Sequence, residues 1–98
     1  MKRVAIEIEY YTDIIEIPDN ILNKIELYQY QFDKWIYNRE NEHEYWIKKN
    51  GRKIGVGFGS EAFVDYLNLF CLNGSSEKAK LLEKHASNIP EDITKLVF

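Results

Sequence analysis

A small α+β domain is expected, and three stretches carry the expectation. Residues 2–11 alternate: Val4, Ile6, Ile8 and Tyr10 point one way, Ala5, Glu7, Glu9 and Tyr11 the other, which is the period of a strand with one wet face. Asn50-Gly51 lies between the apolar runs Tyr45-Trp46-Ile47 and Ile54 to Phe58. A two-residue type I′ turn needs positive φ at both central residues, so this pair marks a β-hairpin. Ser60-Glu61 then opens a periodic apolar run, a helix start. With 98 residues, 45% hydrophobic and 30% charged, residues 1–98 make one globular domain with a modest core.

The remaining elements follow in order. Thr12-Asp13 reads as a break or bulge, and Ile14–Ile17 as a short second strand. Pro18 and Asp19 announce a long helix over about 19–37, because proline is tolerated in a first turn and a carboxylate suits the positive helix end. Ile21, Leu22, Ile25, Tyr28, Phe32, Trp35 and Ile36 form its buried stripe. A rival pattern exists: Tyr28 to Phe32 also alternates like a strand, and Trp35 to Tyr37 could join a meander. Arg39 to Glu44 is a loop. The 45–58 hairpin is expected to pair Ile47 with Ile54 and Tyr45 with Val56, with Trp46 over Gly55. It and the N-terminal strand form a small antiparallel sheet. A helix over about 61–73 is apolar nearly all round and therefore buried, ending at Asn73-Gly74. Ala79, Leu82, Ala86 and Ile89 suggest an amphipathic helix over about 76–87. Ile93 to Phe98 is either a short helix or an edge strand.

Several function classes find little support. The net charge of −3 opposes general affinity for nucleic acid. One cysteine, Cys71, allows no internal disulfide and fits a reducing cytoplasm. Lys2 and Arg3 are followed by Glu7 and Glu9, unlike a signal peptide, and no apolar run nears the ~20 residues that span a bilayer. Gly55-x-Gly57-x-Gly59 lacks the spacing of a phosphate cradle, and close packing is its plainer explanation. His43 and His85 match no metal-ligand spacing, and no serine stands in a nucleophile motif. No enzyme, cofactor or metal is expected. Lys48, Lys49, Arg52 and Lys53 ring the hairpin tip, where they would either touch phosphates or guard a solvated strand edge.

Charge is segregated. Val4 to Glu44 holds ten acids and three bases, and the hairpin that follows carries four cations. Asp19, Glu26, Asp33 and Glu40 recur every seven residues, and Tyr30 and Tyr37 fall between them. On one helix, positions 19–37 of this set share a band opposite the apolar stripe, with no lysine inside it. Carboxylates beside exposed tyrosines suit recognition of a basic protein.

The run Trp46 … Gly51 … Gly57-Phe58 … Glu61-Ala62-Phe63-Val64-x-Tyr66-Leu67-Asn68 resembles small bacterial immunity proteins of polymorphic toxin systems, particularly those of contact-dependent growth inhibition. The resemblance covers the middle third of the chain and rests on packing residues, so it carries no functional position across. It implies a cytoplasmic protein that binds a cognate toxin domain, often a nuclease, and blocks it. The expected partner-binding residues are Asp19, Glu26, Tyr30, Asp33, Tyr37 and Glu40, filling a positive cleft. Two alternatives stand beside this: a phage- or plasmid-encoded inhibitor of a host nucleic-acid-binding protein, and a nucleic-acid-binding regulator working through the basic hairpin tip.

Overall fold

Val4, Ile6 and Ile8 do line one face of a strand, but the strand ends sooner than its alternation suggests. In the computed structural model, which describes residues 1–98, β1 (Lys2–Ile8) pairs antiparallel with β2 (Tyr11–Ile17), from Lys2↔Ile17 to Ile8↔Tyr11. Glu9 and Tyr10 make the turn, with Glu9 at φ 55°. A glutamate in that left-handed conformation gives none of the Asn-Gly signal that marks such turns. Tyr10, expected in the buried row, stands fully exposed at the tip. The expected break at Thr12-Asp13 is absent, because β2 runs straight through both residues.

The long helix over 19–37 is two helices, α1 (Asp19–Leu22) and α2 (Ile25–Tyr37). At the joint, Lys24 leaves helical geometry (φ −123°, ψ 22°), and its N–H reaches back only three residues, to Ile21 O. Ile21 and Ile25 both enter the core. Residues 28–37 are helical, so the rival strand is excluded.

The main sheet is mixed rather than antiparallel. Its order is β5-β2-β1-β6, with β5 at Lys80–Glu83 and β6 at Thr94–Val97; β5 runs antiparallel to β2, and β6 parallel to β1. The amphipathic helix expected over 76–87 is therefore replaced by β5 and coil. The Asn68 side chain, at the end of the buried helix, gives the reason. Its Oδ1 accepts from Ala79 N–H at 2.7 Å and its Nδ2 donates to Ala79 O at 3.0 Å, holding the segment extended as a strand partner would. The C-terminal tail takes the edge-strand option and buries Leu96 against Ile6.

The hairpin of β3 (Trp46–Lys49) and β4 (Arg52–Val56) forms its own two-stranded sheet and does not join β1. Asn50 and Gly51 hold φ 53° and 76°, as a type I′ turn requires. A bulge shifts the register, so Trp46 faces Val56 and Ile47 faces Gly55. Ile47, not Trp46, covers the glycine strip: a Cβ on Gly57 would lie 3.3 Å from Ile47 Cδ1.

α3 (Ser60–Tyr66) continues as a π-helical turn, Leu67–Cys71, closed by Leu72 N–H donating to Leu67 O at 2.8 Å. α3 is buried as expected, but the π-helical turn buries Leu67 alone and leaves Leu69 and Phe70 58% and 52% exposed. α2 and α3 cover the sheet face made by Val4, Ile6, Ile15 and Ile17, and Phe32 sits at the centre of the core. Five rings, Trp35, Phe58, Phe63, Tyr66 and Phe98, approach Phe32 at 5.3–6.2 Å between centroids. On the opposite face, residues 84–93 must pass from the β5 edge to the β6 edge. They cross over Ala5 and Ile14, leaving a cavity of about 410 Å³ between Ile14, Leu82, Pro90 and Ile93.

Candidate functional site

α2 is amphipathic: Ile25, Phe32 and Ile36 are buried beneath it. At 3.6 residues per turn, Glu26, Tyr30, Asp33 and Tyr37 fall within about 60° of one another on its outer side. Glu26 is exposed, Tyr30 and Tyr37 are 56% and 60% exposed, and Asp33 sits on the inner margin, partly buried. Desolvation pushes the Asp33 carboxyl above the usual carboxylate range. No cation of the chain pairs with it. The stripe is not free of lysines, as the sequence suggests: Lys34 Nζ lies 4.7 Å from the Tyr30 ring centroid.

Asp19 and Glu40 stand apart from this stripe. Asp19 belongs to α1, beyond the break at Lys24, where its Oδ1 meets the Met1 amino group at 3.0 Å. That bond and charge hold the Asp19 carboxyl below its ordinary range. Glu40 lies past the end of α2, its N–H donating to Asn38 Oδ1 at 3.0 Å. The seven-residue recurrence thus spans three local structures.

The basic hairpin tip is partly neutralised from within. Lys53 Nζ donates to Arg39 O at 2.6 Å, contacts Asn41 O at 3.3 Å and pairs with the Glu42 carboxylate. Lys48 approaches the same carboxylate at 3.8 Å. The Lys53 hydrogen bond holds the Glu42 carboxyl below its usual range. His43 anchors the hairpin: Tyr45 N–H donates to its Nδ1, so Nε2 carries the proton and donates to Ile36 O at 2.9 Å. Its ring stacks on Trp46 at 4.9 Å.

One polar network had no sequence signal beyond its residue types. Asp13 projects from the core face of β2, opposite Ile6, and is buried. Ser60 Oγ donates to Asp13 Oδ2 at 2.5 Å, and His85 N–H to Oδ1 at 2.9 Å. Ser60, read from sequence as a helix cap, instead ties α3 to the sheet, and Gly59 takes the capping position. His85 holds φ 52°, with its ring stacked on Tyr11 at 4.4 Å. The Gly57–Gly59 strip, Tyr11, Asp13, Glu61, Lys84 and His85 border a cavity of about 340 Å³.

No group of three His, Cys, Asp or Glu side chains is placed to hold a metal ion. No helix is long and apolar enough to cross a membrane. Comparison with protein-family models, with curated proteins and with solved structures returns no significant match to this chain.

Proposed function

We propose that the protein is an immunity protein: a cytoplasmic binding protein that neutralises a cognate toxin, a basic nuclease domain, by laying an acidic, tyrosine-bearing surface over its substrate cleft. The observation that carries this reading is the stripe on α2. Two carboxylates and two half-exposed tyrosines share one side of a helix whose other side is anchored in the core. A rigid helix is a better platform than a loop, because little order is lost when it docks. Asp33 adds a specific handle. Its carboxylate is already partly out of water without a cation of its own, so a lysine or arginine from the partner would be met at low desolvation cost. Tyr30 and Tyr37 supply ring area at the same place. Asp19 and Glu40 flank the stripe.

The test first asks whether a toxin gene adjoins this one, and then uses the toxin domain that it encodes. Glu26→Lys with Asp33→Lys is expected to weaken binding by about 100-fold or more, roughly 2.7 kcal/mol, and to abolish protection of growing cells. Circular dichroism should remain that of the wild type. Full protection by the double variant removes the α2 surface as the binding site, and a wild-type protein that neither binds nor protects removes the reading. The regulator working through the hairpin tip is supported less, because Glu42 engages both Lys48 and Lys53. A gel shift with the isolated protein at low salt separates it.

A further inference from the structure

Two cavities meet at Gly57 and Phe58. One, about 340 Å³, opens toward Tyr11 and His85; the other, about 210 Å³, toward Glu9, Tyr37 and Phe98. Together they form a groove between the β1–β2 turn and the strip that leads into α3, and Tyr37 joins it to the outer stripe of α2. Its walls are aromatic and fixed. Phe58 is wedged among Phe32, Tyr37 and Phe98, and Tyr11 is stacked on His85. Its charge is one-sided: Glu9, Asp13 and Glu61 border it against a single cation, Lys84. Burial raises the Tyr11 hydroxyl above its ordinary range, and the Asp13, Glu61 and Glu9 carboxylates raise it further, so all three fields reach the same ring.

We propose that this groove seats a cationic side chain, arginine or lysine, projected from the protein partner that α2 engages. Aromatic faces with carboxylates at their edges bind such groups by cation–π and charge attraction together. An anionic or purely apolar side chain would meet the wrong field. Gly59 lets the Glu61 carboxylate fold back against the strip at the groove, where a Cβ on Gly59 would lie 2.6 Å from Glu61 Oε2. The inference rests on the reading of the protein as a binder of a basic partner, and it adds where the partner's deepest contact falls.

The experiment titrates ¹⁵N-labelled protein with a decapeptide of alternating arginine and glycine, and separately with one of alternating glutamate and glycine. The arginine peptide should move the amides of Tyr11, Gly57, Gly59 and His85; the glutamate peptide should not. Glu9→Gln with Glu61→Gln should weaken the arginine peptide by about threefold per charge removed, the scale of an exposed charge pair. Lys84→Glu should tighten it by a similar factor, a gain that a misfolded variant would not show. Groove amides that stay still, that answer both peptides, or that ignore all three substitutions overturn the inference. Movement confined to Glu26–Tyr37 also overturns it, while leaving the α2 surface standing. Groove movement alongside full toxin protection by the Glu26→Lys, Asp33→Lys variant supports the groove and removes the α2 surface.

Discussion

Asp33 lies at the margin of the core with part of its hydration gone, and the sign of its effect on stability follows. Its carboxyl titrates higher in the folded protein than in the unfolded chain, so the folded state holds the proton more tightly. Stability therefore falls as pH rises from the unfolded value through the folded one, and returns on acidification. Asp33→Asn removes that dependence. The variant is expected to be the more stable of the two at neutral pH, with the gap closing as pH drops below the ordinary carboxylate range. Urea denaturation across that range reads the gap, and a gap that does not change with pH counts against desolvation as the cause. The trade fits a residue kept for its charge rather than for the fold. Asn68 is the opposite case: both ends of its amide are consumed by Ala79, and its role ends in holding β5 at the sheet.

The β3–β4 hairpin is the element least supported by its neighbours. It pairs with no other strand, its outer residues Ile47 and Ile54 are largely exposed, and its ties to the body run through side chains: His43 to Ile36 O, Trp46 Nε1 to Asn41 O, Lys53 to Arg39 O. Two-stranded ribbons are marginal alone, so this one should open well below the global unfolding free energy. Hydrogen exchange is expected to release the Lys48 and Lys53 amides before those of Val4, Ile6 and Ile15. Equal protection would show that the hairpin unfolds only with the whole domain. Its turn was readable from Asn50-Gly51 alone. The β1–β2 turn was not, because Glu9 adopts a glycine-like conformation without a glycine, and β5 was hidden because Ala79, Leu82 and Ala86 happen to repeat at helical spacing. At β5, pairing with the distant β2 overrode the local pattern.

Taken entire, the protein carries a net charge of −3 with carboxylates concentrated on the α2 stripe and around the groove, and an association driven by them must depend on salt. The screening length falls from about 10 Å at 0.1 M to about 3 Å at 1 M. On the proposed function, the rate of toxin association should drop steeply over that interval while the dissociation rate changes little; an association rate that ignores salt would mean that shape, not charge, guides the encounter. The α+β class, the first strand, the hairpin and the buried helix were legible because each carries its own periodicity and its own turn residues. The stripe of Glu26, Tyr30, Asp33 and Tyr37 was legible for the same reason, as one helix supplies it all. The groove was not, since Tyr11, Phe58, Glu61 and His85 come together only through tertiary folding. The sheet's last strand belongs to that second kind. β6 lies beside β1, with Val4 against Thr94 and Glu7 against Val97. Closing so large a ring adds only logarithmically to the entropy lost, but the search that finds it is slow. The outer edge of β1 is therefore expected to be among the last seams of the sheet to close, with Leu96 reaching Ile6 only then.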